Sequence, residues 1–314
     1  MEFGLKALIS AGLLWVLPLC AQVKITQQPG RVLVEIDGKP YTTFFLAPGG
    51  NKPYLYPLST ASGVVVTRHF PMETVPGETT DHPHHRGLFF SHGDINGTNF
   101  WATEPGPDIA KQGRMVLKKV PEAKGGAKSG TIRAVFEGQD PGGKGIMTET
   151  RTIVFHADPK PRTIDYEIQI DAIDRLVFAD TKEGTFGIRL ATSMQEDKGG
   201  RMVNAEGAET EKNVWGKRSP WVDYYGTVDG QTVGVAIFDN PANPRHPTYW
   251  HSRAYGLFAA NPFGVRDFTG DKSKDGSLTV EPGKTLRFRY RVVIHSGDVH
   301  AAHIAELWKE YAGK

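Results

Sequence analysis

The chain has 314 residues, 39% hydrophobic and 23% charged, with a formal net charge of +2 at neutral pH. That is the composition of a globular protein long enough to bury a large core. The charge is too small and too scattered to make nucleic acid or an anionic membrane a partner.

In chain order, the first segment reads as an export signal. Lys6 precedes the apolar stretch Ala7–Leu19, which is short for a bilayer span, and Cys20-Ala21-Gln22 follows as a cleavage region. The expectation is a signal peptide over residues 1–21, one β-sandwich domain over 22–314, and a periplasmic or secreted location. Cys20 is the only cysteine, so the exported domain is expected to hold no disulfide and no thiol chemistry. Leu19 before it is larger than the residue that lipid-accepting sites carry. No later stretch is long and apolar enough to span a membrane.

Period-two alternation then dominates. Val32, Val34 and Ile36 alternate with Leu33, Glu35 and Asp37, and Asp37-Gly38-Lys39-Pro40 turns the chain. Strands are predicted over Gly63–Arg68, Met115–Val120, Thr131–Glu137, Glu149–His156, Phe186–Ala191 and Val233–Phe238. Ile164, Tyr166, Ile168 and Ile170 give a strand with one dry face, and Leu286, Phe288, Tyr290, Val292 and Ile294 give another. Gly125–Gly130 and Asp140–Gly145 read as hairpin loops. One helix is predicted, Val299–Tyr311, with Asp298 as its cap. Many antiparallel strands and one short C-terminal helix favour an all-β fold, a large antiparallel two-sheet sandwich.

Four of the eleven histidines fall in one run, Asp81-His82-Pro83-His84-His85-Arg86-Gly87-Leu88-Phe89-Phe90-Ser91-His92-Gly93-Asp94. In extended backbone His82 and His84 would share one face and His85 the other. Pro83 argues that the run enters a strand from a loop. Three readings are open. In one, two or three of these histidines with Asp81 or Asp94 hold a divalent metal, the candidate ligands being His82, His92 and Asp94 with His251 from a distant segment. Alternatively, His84 and His85 transfer protons while Arg86 anchors substrate oxygens. Or the histidines are structural residues at a strand end.

A second constellation is Asn243–Gly256, followed by Asn261-Pro262-Phe263-Gly264. It mixes histidine, arginine and aromatic residues in a proline-rich loop, as binding loops do. Tyr249, Trp250 and Tyr255 offer flat faces for stacking on a sugar ring. Arg253 is a candidate anchor. Glu183 precedes a strand and is a candidate acid. No phosphate loop, dinucleotide fingerprint or Gly-x-Ser-x-Gly elbow is present.

Asp81–Gly87, Ser91–Gly97 with Phe100-Trp101, Pro247–Arg253 with Tyr255-Gly256-Leu257, and Asn261–Gly264 together resemble one bacterial family, a domain of unknown function labelled methane oxygenase PmoA. The resemblance covers nearly all of the chain after the signal. It is distinct from the integral-membrane methane monooxygenase subunit of that name, whose spans this chain lacks. Glu281-Pro282-Gly283-Lys284 leading into Leu286–His295 is similar to the end of sugar-binding supersandwich domains of the galactose-mutarotase type, which implies histidines and carboxylates lining a concave sheet.

The expected function is therefore carbohydrate chemistry in a His/Arg-rich pocket: hydrolysis, elimination or epimerisation of a small-molecule or oligosaccharide substrate. His84, His85 and Glu183 are the expected catalytic residues. Arg86, Asn96, Trp101, Trp250, Arg253 and Asn261 are expected to bind substrate. The alternatives are a metal-dependent oxidoreductase with a divalent ion on His82, His92, Asp94 and His251, and a non-catalytic sugar-binding module.

Overall fold

The computed structural model describes residues 1, 22–47, 52–102, 109–158 and 160–313. The export-signal expectation lies outside them. Among the described residues the chain forms, in order, β1 (Val23–Gln28), β2 (Arg31–Ile36), β3 (Lys39–Phe45), β4 (Tyr54–Tyr56), β5 (Leu88–His92), β6 (Arg114–Lys124), β7 (Ser129–Gln139), β8 (Gly145–His156) and β9 (Arg162–Ala172). There follow β10 (Leu176–Phe178), β11 (Gly184–Arg189), β12 (Arg201–Asn204), α1 (Glu211–Val214), β13 (Trp221–Val228), β14 (Gln231–Asp239), β15 (Tyr249–Arg253), β16 (Leu257–Asn261), α2 (Val265–Thr269), β17 (Leu278–Val280), β18 (Thr285–Ser296) and α3 (Ile304–Ala312).

The strands make two eight-stranded antiparallel sheets. The first runs β1-β2-β3-β4-β5-β11-β16-β15 and the second β12-β13-β14-β18-β9-β8-β7-β6, while β10 and β17 form a separate ribbon. The two-sheet architecture and the short C-terminal helix are those the alternation implied. On β9 every second residue from Arg162 to Ala172 is buried, because one face lies against the opposing sheet.

Aromatic side chains from the two sheets interlock. Phe186 of the first sheet stacks on Tyr290 of the second at 4.4 Å and 2°. Phe44 meets Phe136 edge-on at 6.4 Å, and Phe90 meets Phe288 at 5.7 Å. One charged group crosses this core. Arg151 on β8 donates to the Pro53 and Phe90 carbonyls at 2.9 and 3.0 Å and is neutralised by Glu149 at 2.5 Å. A buried guanidinium is tolerated only with such partners. It ties the second sheet to the backbone of β5 in the first.

Two expectations are corrected. Gly63–Arg68 is not a strand; it makes only isolated bridges, Ser59 with Val65 and Thr67 with Leu190. Asp298 does not cap the helix directly. Its carboxylate accepts from the His300 and Ala301 amides in a preceding turn, and α3 starts at Ile304.

Gly87 joins the histidine run to β5 and sits at φ +55°. A Cβ there would lie 2.1 Å from the Leu55 carbonyl oxygen. Both the left-handed conformation and the close backbone approach require glycine. Gly87→Ala is expected to lower stability by more than ~2 kcal/mol in urea unfolding; a change within ~0.5 kcal/mol would refute this account of the strand entry.

Candidate functional site

Strands β5, β11 and β16 are buried at every residue, so the first sheet is covered on both faces. Its inner face meets the second sheet. Its outer face carries a separate cluster of Tyr54, Tyr56, Phe89, Trp101, Leu257 and Ala259. The histidine loop lies over this outer face.

The loop is held by one carboxylate between two guanidiniums. Arg68 and Arg189 are fully buried. Arg68 donates to Asp81 Oδ1 at 2.9 Å and to the Asp81 and His82 carbonyls at 2.8 and 3.0 Å. Arg189 donates to both Asp81 oxygens at 2.8 and 3.1 Å. Partial burial works against the Asp81 charge, but the hydrogen bond from His82 and the two guanidiniums outweigh it and hold its pKa down at about 2.

This clamp decides where the imidazoles go. His82 has φ +46° and its carbonyl accepts from the His85 amide at 3.0 Å. The backbone turns instead of extending, so the face-sharing expected for His82 and His84 is replaced by a stack of His82 on His85, 4.9 Å apart at 3°. Tyr255, from the second sequence constellation, lies near-parallel to both rings, 5.1 Å from His82 and 6.5 Å from His85. His84 lies edge-on to His85 at 4.3 Å. Trp101 lies 5.5 Å from His85 and 6.5 Å from His251. The two distant segments therefore meet on one face.

The protonation pattern follows from the contacts. An Arg189 Nη1–H donates to His85 Nδ1 at 3.3 Å. Guanidinium has only donors, so Nδ1 is the acceptor and the ring proton sits on Nε2. His85 Nε2 is buried without a partner. Burial, then the charges of Lys52, His82, Arg68 and Arg189, push the His84 pKa down to about 3. Burial, then His84 and Arg189, put His85 well below its ordinary value. His251 is lowered to about 4, chiefly by burial, and its Nδ1 is unpartnered.

Unsatisfied polar groups concentrate here. Thirteen buried side-chain nitrogen or oxygen atoms lack a hydrogen-bond partner among the described residues. Six belong to this face and its edge: His85 Nε2, Trp101 Nε1, Arg189 Nε, Trp215 Nε1, His251 Nδ1 and Arg253 Nε. Arg253 Nε does lie 3.0 Å from Glu211 Oε1, an ion pair outside hydrogen-bond geometry. Trp215 packs on Phe268 at 5.5 Å, and Phe268 packs on His251 at 6.4 Å.

Several candidate residues lie elsewhere. Trp250 points into the inter-sheet core, with Nε1 donating to the Ser219 carbonyl at 2.8 Å. It alternates with Tyr249 and His251, so when they face outward it cannot stack on a ligand there. His92 has the parity of Phe90; it lies against Phe178 and Phe263, and Nε2–H donates to the Ala179 carbonyl at 2.9 Å. Asp94 accepts from the Gly97 amide in a turn. Asn96 bridges the Arg175 carbonyl and the Val177 amide. Asn261 joins the Thr181 and Lys182 carbonyls to the Phe263 amide. The expected metal set of His82, His92, Asp94 and His251 is thus dispersed, and no group of three metal-binding side chains assembles among the described residues.

Glu183 is at the rim, paired with Lys182 at 3.0 Å and close enough to act on His251 and Tyr255. The Arg86 guanidinium lies 6.0 Å over Tyr54, and that of Arg253 lies 5.5 Å over Tyr255. Sequence reasoning missed Arg68, Arg189 and Lys52. The arginines had a signal, each closing an apolar run: Val64-Val65-Val66-Thr67-Arg68 and Phe186-Gly187-Ile188-Arg189. Lys52, buried with Nζ 4.7 Å over the Phe89 ring, had none.

The matching family model, over residues 31–309, is the Family of unknown function (DUF6807). The chain belongs to that family. No curated protein matches it. Among solved structures it is similar to a galactose mutarotase-like protein from Clostridium acetobutylicum, with 11% identity, 88% of this chain and 98% of that one covered, and a TM-score of 0.43. It is similar to a galactose mutarotase-like protein from Lactobacillus casei, with 8% identity, 87% and 100% covered, and a TM-score of 0.40. It is also similar to a mutant of heparan sulfate lyase HepC from Pedobacter heparinus, with 10% identity, 88% of this chain but only 37% of the lyase covered, and a TM-score of 0.40. Overlaps this loose define no chemistry for the site.

The buried histidines also set the acid stability. His84, His92 and His251 titrate at about 3, about 4 and about 4 in the folded chain, against ~6.5 when unfolded. Between pH ~6.5 and ~4 the unfolded state takes up protons that the folded state refuses, so stability falls with pH across that window. His295 is shifted upward and opposes this as a single group. Melting temperatures measured from pH 7 to pH 4 are expected to drop steadily; a level or rising series would contradict the neutral, buried assignment.

Proposed function

We propose that the chain is a carbohydrate-active protein that binds a sugar on the outer face of the first sheet. One observation carries this reading: the buried, unpartnered polar atoms gather where the two sequence constellations meet. Buried polar groups are normally paired, and a polar ligand is one way to supply the missing partners. Flat rings beside them, Tyr255 and His82 above all, suit the apolar face of a pyranose.

In this reading His85 Nε2–H and Trp101 Nε1–H donate to ligand oxygens, and His251 Nδ1 accepts from a hydroxyl. His84 and His251, at about 3 and about 4, are weak bases at neutral pH. That observation favours a second reading, a sugar-binding module without turnover, because proton transfer works best with a pKa near the operating pH.

Purified protein titrated with neutral and acidic oligosaccharides is expected to show saturable binding. Affinity should stay level from pH 5 to 8, with no inflection near ~6.5. His85→Ala is expected to weaken binding about tenfold, the effect of removing one buried donor. NMR of the same mixtures separates turnover from binding alone. Absence of binding across the series would remove the proposal.

Export belongs to the same proposal, since sugar polymers are met outside the cytoplasm. N-terminal sequencing of protein expressed in a Gram-negative host is expected to begin near Gln22; an intact Met1 terminus in the periplasm-free fraction would count against it.

A further inference from the structure

We infer that the ligand is a sugar acid, its carboxylate received by His85 Nε2–H and Trp101 Nε1–H; this rests on the sugar-binding reading of the same face. Both residues are 1% exposed, and neither N–H has a partner. Their rings lie 5.5 Å apart, within the span of one small ligand.

The argument is one of donors and acceptors. An indole N–H can only donate. His85 is also fixed as a donor, because Arg189 occupies its Nδ1 lone pair. A hydroxyl that accepted from either group would bring a proton needing its own acceptor, and against these two open donors the face offers one unpartnered acceptor, His251 Nδ1. A carboxylate brings two accepting oxygens and no proton, and charge assistance makes such bonds roughly twice as strong.

The surroundings favour an anion. Lys52 Nζ lies 4.7 Å from the Phe89 ring and 5.6 Å from the Trp101 ring, and donates to the Trp101 carbonyl. Arg189 stands behind His85, and Arg68 donates to the His82 carbonyl. Asp81 is shared by those two guanidiniums. Of the other described carboxylates near this face, Glu183 is paired with Lys182, Glu73 accepts from Tyr56, Glu78 is bound to His69 and Glu211 lies against Arg253. A carboxylate on the ligand is attracted by the buried cations Arg68, Arg189 and Lys52, and a neutral sugar gains nothing from them.

The test is calorimetric titration of the full chain at pH 7 with D-glucuronate, D-galacturonate, D-glucose and D-galactose. At least one uronate is expected to bind about tenfold or more tightly than its neutral parent, as gain of a charged hydrogen bond implies. Trp101→Phe keeps the ring and loses the N–H. It is expected to weaken uronate binding more than the parent's, so that the ratio between the two falls towards one. The ratio is read on the wild-type chain, so a poorly folded variant does not decide the matter. A neutral sugar that binds as tightly as its uronate overturns the acid assignment and leaves the sugar site standing. The same holds if all four fail while a neutral oligosaccharide binds. If no sugar of any kind binds, both readings fall.

Discussion

The site depends on one ionic arrangement, the Asp81 carboxylate held between the buried guanidiniums of Arg68 and Arg189. Two buried cations without a counterion would be costly, and one carboxylate satisfies both. Because Asp81 opens the histidine run, the same contact fixes that run over the sheet. Arg189 then reaches past Asp81 to His85 and assigns its tautomer. A single set of charges thus positions the loop, orients an imidazole and leaves its outer N–H without a partner.

The scaffold beneath is stiffened from the opposite side. Arg151 crosses the core to the Pro53 and Phe90 carbonyls. Those carbonyls lie next to Lys52 and Phe89, two residues of the outer face. A buried guanidinium with fixed acceptors tolerates little displacement of the backbone it binds, because a shift would leave donors unmet in a low-dielectric interior. The core and the candidate site are therefore coupled through main-chain carbonyls of β5 and the segment before β4, and not through side-chain packing alone.

How much of this could be read from the chain follows from burial. β2, β9 and β18 alternate because one face is dry and the other wet, and those strands were legible. β5, β11 and β16 do not alternate, because loops cover the outer face of the first sheet. Period-two reasoning is blind there: it could not tell that Phe89 belongs to the outer cluster and Phe90 to the core. The same blindness put Trp250 in the site when its neighbour His251 belongs there. The meeting of the two constellations was expected and is observed. The positive φ of His82 was not legible, since Asp81 imposes it through partners 13 and 108 positions away.

The two outer faces differ in how far their buried polar groups are paired. On the second sheet, Arg289 pairs with Glu167, and Arg291 and His156 pair with Asp165. The apolar part of that face is covered by α3 through Trp221, Phe238, Ile304 and Tyr311. Polar groups there are largely answered by one another; Asp223 Oδ2 and Trp308 Nε1 are the exceptions among the described residues. On the first sheet and its edge five such atoms stand unanswered and a sixth, Arg253 Nε, has only its ion pair with Glu211, and they come from segments far apart in sequence. A fold selected only for stability gains by removing buried donors of this kind, because each costs ~1–3 kcal/mol. Their gathering beside neutral imidazoles and aromatic rings is the ground on which a polar ligand is proposed for this face.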